Sequence, residues 1–381
     1  MKKVKLGDVA TYINGYAFKP TDWSKAGVLI IRIQDLTGNS YQANRYNGNY
    51  EKKYEIQKGD VLISWSASLG VYVWQGETAV LNQHIFKVVF DKVEIDKNFF
   101  VHQVECILKN ASSEAHGATM KHLTKPIFDA LPFYLPSLEE QKAIAEKLDK
   151  VSELIEKRKA QLEKLDLLTK SRFIELFGDP NIEFKYEAHK FKEFVSDMTK
   201  GPFGSDMKKD LFVPKGADTY KVYIQANAIQ GDQNIGNYYI SREYFDSKVF
   251  RFEVHPGDYI ITCDGTLGKH LKLNMGMERG VISPSLLRLT LNEEKITSEY
   301  FEYLWDMYML LLMKKEARNA CLVHLPSAKV IGDIDISIPP FTMQKEFSKF
   351  VQKVDKSKFE IQKSLEKLEI LKKSLMQQYF G

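Results

Sequence analysis

The sequence predicts two similar mixed α/β (α+β) domains, each followed by a long helix, with the two helices packed as an antiparallel coiled coil about a pseudo-two-fold axis. Three observations predict this. Residues 135–178 recur without a gap as residues 338–381. Pro136/Pro339, Gln141/Gln344, Lys142/Lys345, Val151/Val354, Leu162-Glu-Lys-Leu165/Leu365-Glu-Lys-Leu368 and the closing Phe177-Gly178/Phe380-Gly381 are identical between the copies. Each copy follows a stretch of short apolar runs separated by turn residues, and repeats of this kind denote a duplicated architecture.

The boundaries follow from these patterns: residues 1–134 form a first domain, 135–180 a first long helix, 181–337 a second domain and 338–381 a second long helix. In the first domain Val28–Ile33, Val61–Trp65, Val71–Trp74 and Ile85–Phe90 read as strands, and Asn98–Lys109 has helical spacing. In the second, Tyr220–Ile224, Tyr259–Thr262 and Leu286–Leu291 read as strands before a helix over 298–315. The domains share local marks: Lys58-Gly-Asp-Val-Leu-Ile-Ser64 parallels Pro256-Gly-Asp-Tyr-Ile-Ile-Thr262, Ser68-Leu-Gly70 parallels Thr266-Leu-Gly268, and His122-Leu123 parallels His324-Leu325. Between these marks they differ almost completely, as one fold carrying two surfaces would.

The long helices are the clearest elements. Ser137-Leu-Glu-Glu140 after Pro136 is a capping box, which the second copy lacks because Pro340 replaces the serine. Ile144, Leu148, Val151, Ile155, Leu162 and Leu165 form one seam; Phe347, Val351, Val354, Ile361, Leu365 and Leu368 form the other. The seams are complementary rather than identical, since Ile155 corresponds to Lys358 and Arg158 to Ile361. Leu154, Leu167, Leu168, Ile370 and Leu371 widen the apolar stripes beyond the needs of a helix pair, which implies docking of partner helices. From Glu139 to Phe177 such a helix runs roughly 58 Å, with Gly178-Asp-Pro180 as its stop.

Composition excludes several classes. The chain has 381 residues, 44% hydrophobic and 27% charged, as expected of two or three soluble domains. No run approaches the roughly 20 apolar residues of a membrane span, and Met1–Asp8, with no apolar run behind its charges, is not expected to act as a signal peptide; a cytoplasmic location is expected. Cys106, Cys263 and Cys321 are too few and too scattered for a disulfide framework or metal centre, so reduced thiols and no metal are expected. The formal net charge of +4 gives no strong nucleic-acid signature.

Leu135–Ala145 opening a long helix and Phe177-Gly-Asp-Pro180 closing it resemble the helical region of specificity subunits of type I restriction–modification systems. Lys58–Ser64 and Gly201-Pro-Phe-Gly-Ser-Asp206 resemble segments of the target-recognition domains of that family. The resemblance covers the whole chain and implies a subunit without chemistry of its own that binds double-stranded DNA. Each target domain would read one half of a split, asymmetric sequence. The helices would space the halves and dock two methyltransferase (modification) subunits for adenine methylation, with motor–nuclease (restriction) subunits joining for cleavage. A non-catalytic scaffold for protein partners and a methylation-only specificity unit are the alternatives.

Base reading needs polar side chains on elements that reach a groove. The candidates are Lys19, Arg32, Gln34, Ser66, Asn82, Gln83 and His84 in the first domain, and Lys200, Ser205, Gln225, Asn227, Thr262, Asp264, Thr266 and Ser283 in the second. Trp65 and Phe203, within the same clusters, are expected in the core, and ordinary turn chemistry also accounts for many of these residue types. No cofactor is expected. Ile338-Pro-Pro-Phe341 lacks the polar residue of an aminomethyltransferase motif, Gly231–Gly236 lacks the Lys-Ser/Thr of a phosphate loop, and Cys263 with His270 falls short of a zinc site.

Overall fold

The computed structural model describes residues 2–39, 42–66, 68–114, 124–179, 182, 185–309, 311, 313 and 324–381. Expectations for Ala67, His122-Leu123, Pro180, Cys321 and part of the helix end at 310–315 fall outside the described residues. By packing, the chain forms two units, one of residues 1–161 with 361–381 and one of residues 162–360. Each long helix therefore contributes its two ends to different units.

In the first unit the strand Val61–Ser64 is buried at every position. Its entry explains the Lys-Gly-Asp motif: Gly59 takes a φ of 94°, which favours glycine, and the Asp60 carboxylate accepts the Gln57 N–H at 2.9 Å. The strand lies third in an antiparallel sheet ordered Thr11–Asn14, Ile85–Val89, Val61–Ser64, Gly70–Val73. A second sheet is ordered Arg45–Tyr46, Val28–Ile31, Ala79–Leu81, Glu55–Ile56, and its central pair is parallel. Lys2–Lys5 pairs with Pro132–Leu135 beside the helix Lys97–Glu114.

The second unit has the same plan. Gly257 takes a φ of 98°, and Asp258 accepts the His255 N–H at 2.8 Å before the buried strand Tyr259–Thr262. One sheet is ordered Val195–Lys200, Leu286–Leu291, Tyr259–Thr262, His270–Lys272, and the other Tyr239–Ser241, Thr219–Tyr223, Gly280–Ile282, Glu253–Val254. Thr219–Tyr223 and Gly280–Ile282 are again a parallel pair, and Ala188–Lys190 pairs with Asp335–Ser337. The expected helix begins as Ser298–Leu304, capped by the Thr297 side chain, and continues as a wider coil over Trp305–Met309.

The long helices, Leu138–Phe177 and Phe341–Phe380, have 40 residues each, or about 60 Å. Both arms of the Ser137/Glu140 capping box form, at 3.1 and 3.3 Å. Gly178 closes the first helix with a φ of 80° and donates to the Ile174 carbonyl at 2.8 Å. Pairing is antiparallel. In the first unit Ile144 and Leu148 share a core with Met376 and Phe380; in the second Phe173 and Phe177 share one with Phe347 and Val351. Seam residues Ile144, Leu148, Val151, Ile155, Phe347, Val351, Val354 and Leu365 are buried, while Leu162, Leu165, Ile361 and Leu368 are half-buried. Lys358, the polar residue in the second seam, pairs with Asp166 at 2.6 Å.

The repeated glutamine and phenylalanine have one shared task. Gln141 and Gln344 are buried, and each donates to the carbonyl of the proline before its helix (Pro136, Pro339) at 3.0 Å. The same amides accept the Asp96 N–H at 2.8 Å and the Thr297 N–H at 3.0 Å, at the start of each domain's own helix. One turn on, Phe99 meets Phe380 and Tyr300 meets Phe177, edge to face, at centroid distances of 5.5 and 4.9 Å. In each unit the start of one long helix and the end of the other thus close on the first turn of the same domain helix. Replacement of Gln141 or Gln344 by alanine is expected to cost about 1–3 kcal/mol, because it strands a buried N–H and a buried carbonyl. The control Gln362→Ala, at an exposed position, should stay within about 0.5 kcal/mol. Denaturation midpoints of the three variants check this, and equal midpoints would refute the latch.

Candidate nucleic-acid interface

The parallel strand pair fixes where the loops go. In the first unit Val28–Ile31 and Ala79–Leu81 end side by side, so the chain leaving each emerges at the same edge. Backbone hydrogen bonds then join the loops: Tyr16 N–H to the Leu81 carbonyl at 2.8 Å, Asn82 N–H to Ile31 at 3.0 Å, Gln83 N–H to Tyr16 at 2.8 Å and Trp65 N–H to His84 at 3.2 Å. The segments at 15–19, 32–35, 64–66 with 68, and 82–84, scattered in sequence, are stitched into one edge.

The second unit builds the corresponding edge from residues 201–205, 224–227, 262–266 and 283–285. Ser283 N–H donates to Tyr223 at 2.9 Å, Cys263 N–H to Ser285 at 2.8 Å and Gly201 N–H to Leu286 at 2.8 Å. Gly15 and Gly201 are required by close approach, since a Cβ would lie 2.0 Å from the Asn82 oxygen and 2.1 Å from the Ser283 oxygen. Ser64 and Thr262 each turn their hydroxyl onto a carbonyl of the following loop, Ser68 and Thr266.

On these matched frames the side chains differ. In the first unit Lys19, Gln34 and Gln83 are exposed, and Asn82 and His84 are half-buried. His84 takes a φ of 74°, the one such non-glycine among the described residues, and its ring packs against Trp65 at 4.9 Å. Arg32 is only 14% exposed; it pairs with Asp35 at 3.2 Å and donates to the Gln42 carbonyl at 2.9 Å. In the second unit Lys200, Ser205 and Thr266 are exposed, and Gln225, Asp264 and Ser283 are half-buried.

Three candidates serve the fold instead. Asn227 is buried, with its oxygen accepting the Ile224 N–H at 2.8 Å and its amide donating to Asp232 and Ile235 at 2.9 Å each. Thr262 is buried, its oxygen also accepting the Lys269 N–H at 3.0 Å, and Ser66 is buried in the matching loop. Turn-forming and base-reading chemistry use the same residue types, so sequence alone did not separate them. Phe203 also departs from expectation: it is 77% exposed rather than in the core, whereas Trp65 is half-buried, stacks on Phe86 at 5.7 Å and donates to Asn14 at 3.2 Å.

Sequence reasoning missed His324 as a member of the edge. It pairs through Nδ1 with Asp264 at 2.6 Å, and Gln225 donates to the Asp264 carbonyl at 3.1 Å. The paired marks at 122 and 324 were the available signal, but nothing in the sequence places residue 324 against residue 264. Cys263 and His270 do not pair with each other: the His270 ring meets Asp306 at 3.0 Å. Burial pushes the Cys263 thiol up to about 12 and also raises that of Cys106, away from a reactive thiolate. Among the described residues, no group of histidine, cysteine and acidic side chains could hold a metal ion, and no helix is long and apolar enough to cross a membrane.

The class defined by this geometry is a duplicated scaffold presenting two unlike loop edges. Residues 1–164 match the family model for the type I restriction modification DNA specificity domain. The chain is 32% identical over 171 residues to the type I restriction enzyme EcoBI specificity subunit of Escherichia coli, an alignment covering 44% of this chain and 36% of that protein. It is 22% identical to the MjaVIII specificity subunit of Methanocaldococcus jannaschii, over 98% of this chain and 90% of that one. The fold matches the crystal structure of the S subunit from M. genitalium with a TM-score of 0.56 at 16% identity, covering 100% and 96% of the two chains. A chain from a study of complex assembly and conformational transition of the type I restriction–modification system gives 0.60 at 15% identity, covering 100% and 97%. These similarities, in a domain model over residues 1–164 and in the fold over the whole chain, are all to type I restriction–modification specificity subunits.

Proposed function

We propose that this chain is the DNA-recognition subunit of a type I restriction–modification complex, without catalysis of its own, that selects a bipartite asymmetric site. The observation that carries the reading is the pair of matched loop edges with unlike side chains. Identical frames account for a common mode of approach to DNA, and different residues on them account for two different half-sites. Asn82, Gln83, Lys19 and His84, with Gln34 beside them, are the readers of one half. Gln225, Asp264, Thr266, Ser283, Lys200 and Ser205, joined by His324, are those of the other. Arg32 supports its turn through Asp35 and orients these neighbours.

The long helices supply the rest. Leu154, Leu167, Leu168, Ile370 and Leu371 are all exposed, from 44% to 69%, and such stripes on paired helices suit further helices packing alongside. Two methyltransferase subunits are the partners proposed for them, carrying out adenine methylation in the cytoplasm; motor–nuclease subunits join for restriction. A helix of about 60 Å matches about 17 base pairs of duplex, so it sets the gap between half-sites.

Methylome sequencing of the host with and without the gene should show one split motif whose methylation vanishes on deletion. Persistence of every motif, with the methyltransferase still expressed, would end the specificity reading. Removing a matched heptad from both long helices takes out about 10 Å and should shorten the gap by about three base pairs. An unchanged gap at full methylation contradicts the ruler.

A further inference from the structure

Phe203 is the most exposed aromatic ring among the described residues, at 77%. It does not hang from a loose loop. Before it, Gly201 is held against Ser283 and Pro202 is buried. After it, the Asp206 N–H donates back to the Phe203 carbonyl at 2.9 Å, and the Tyr244 hydroxyl donates to the Asp206 carbonyl at 2.9 Å. The ring therefore projects from a braced turn, flanked by exposed Lys200 and Ser205. The matching loop of the first unit has Ala17 at the position of Phe203; its phenylalanine comes one residue later, and Phe18 is 7% exposed, packed edge to face against Tyr16 and Tyr46 at 4.9 and 5.0 Å.

We propose that Phe203 is a wedge that enters the base stack of the half-site read by the second unit, a role that rests on the DNA-recognition reading above. A phenyl ring has no donor or acceptor for a base edge, so in contact with DNA it acts by stacking or by parting a base step. Pre-bracing lowers the entropy lost on insertion, and the exposed Lys200 and Ser205, readers of the same half-site, flank the ring. Insertion is least costly at flexible pyrimidine–purine steps, so the second half-site contains one. With Ala17 at the position of Phe203, and the Tyr16 ring held against Phe18 and Tyr54 at 4.9 and 5.6 Å, the first unit lacks this wedge, and the kink falls in one half of the site alone.

The test uses the full chain assembled with its methyltransferase subunits. The probes are duplexes carrying the split methylated motif, with each adenine replaced in turn by 2-aminopurine. The wild-type complex should raise fluorescence at one step in one half-site. Phe203→Ala should abolish that rise and weaken binding roughly 5- to 100-fold, with thermal stability and subunit assembly unchanged, while Phe203→Leu, which keeps an apolar wedge, should restore most of both. Circular-permutation gels should show the wild-type bend reduced in Phe203→Ala. An unaltered rise and affinity in Phe203→Ala overturns the wedge while leaving the specificity reading intact. Loss of methyltransferase assembly in that variant also overturns it, because the ring is then covered by protein. A wild-type complex with no preference for the motif over a scrambled duplex overturns both readings.

Discussion

Everything in this chain depends on the closure of each unit by two different helix ends. A buried glutamine fixes the start of one long helix to the first turn of a domain helix, and a phenylalanine from the end of the other helix packs on that same turn. Since the glutamine satisfies two backbone groups at once, and the aromatic contact excludes water from them, the junction has little freedom to slip. The same residues appear at both junctions because the task is the same. This is why the repeat keeps Pro, Gln and Phe-Gly while allowing most of the intervening surface to vary.

The strands that carry the loop edges follow the same division between frame and content. Glycine at positive φ, an aspartate capping the turn, and a hydroxyl folded back on the next loop recur in both units. A cationic side chain does too: Lys87 donates to the Glu55 carbonyl and Arg288 to the Glu253 carbonyl. These contacts spend polar groups on rigidity. What remains exposed, such as Gln83 in one unit and Thr266 with Lys200 in the other, is free to differ because the frame does not use it. Hydrogen-bonded loops held on a sheet edge present their side chains with little entropy left to lose on binding.

Much of the architecture was legible in the sequence where burial and helical or strand period coincide. The long helices showed their period, their capping box and their duplication, and Val61–Ser64 and Leu286–Leu291 showed the apolar content of central strands. Lys2–Lys5 was not legible, because three of its residues are exposed lysines; only its pairing with Pro132–Leu135 makes it a strand. Two-residue strands such as Glu55–Ile56 are too short to show any period. In the candidate loop clusters, the loops were recognisable but the burial of each side chain was not. Asn227 and Thr262 are polar yet buried, Phe203 is apolar yet exposed, and His324 reaches Asp264 across a long stretch of chain.

If the chain recognises DNA as proposed, the two frames read two half-sites independently. The most direct measurement of that independence is the methylated motif produced by a chain carrying Asn82→Ala and Gln83→Ala in the first unit, determined by single-molecule methylation sequencing. One half of the motif should relax at one or two positions while the other half and the gap stay as they were. A motif altered in both halves, or in neither while methylation persists, would contradict independent reading.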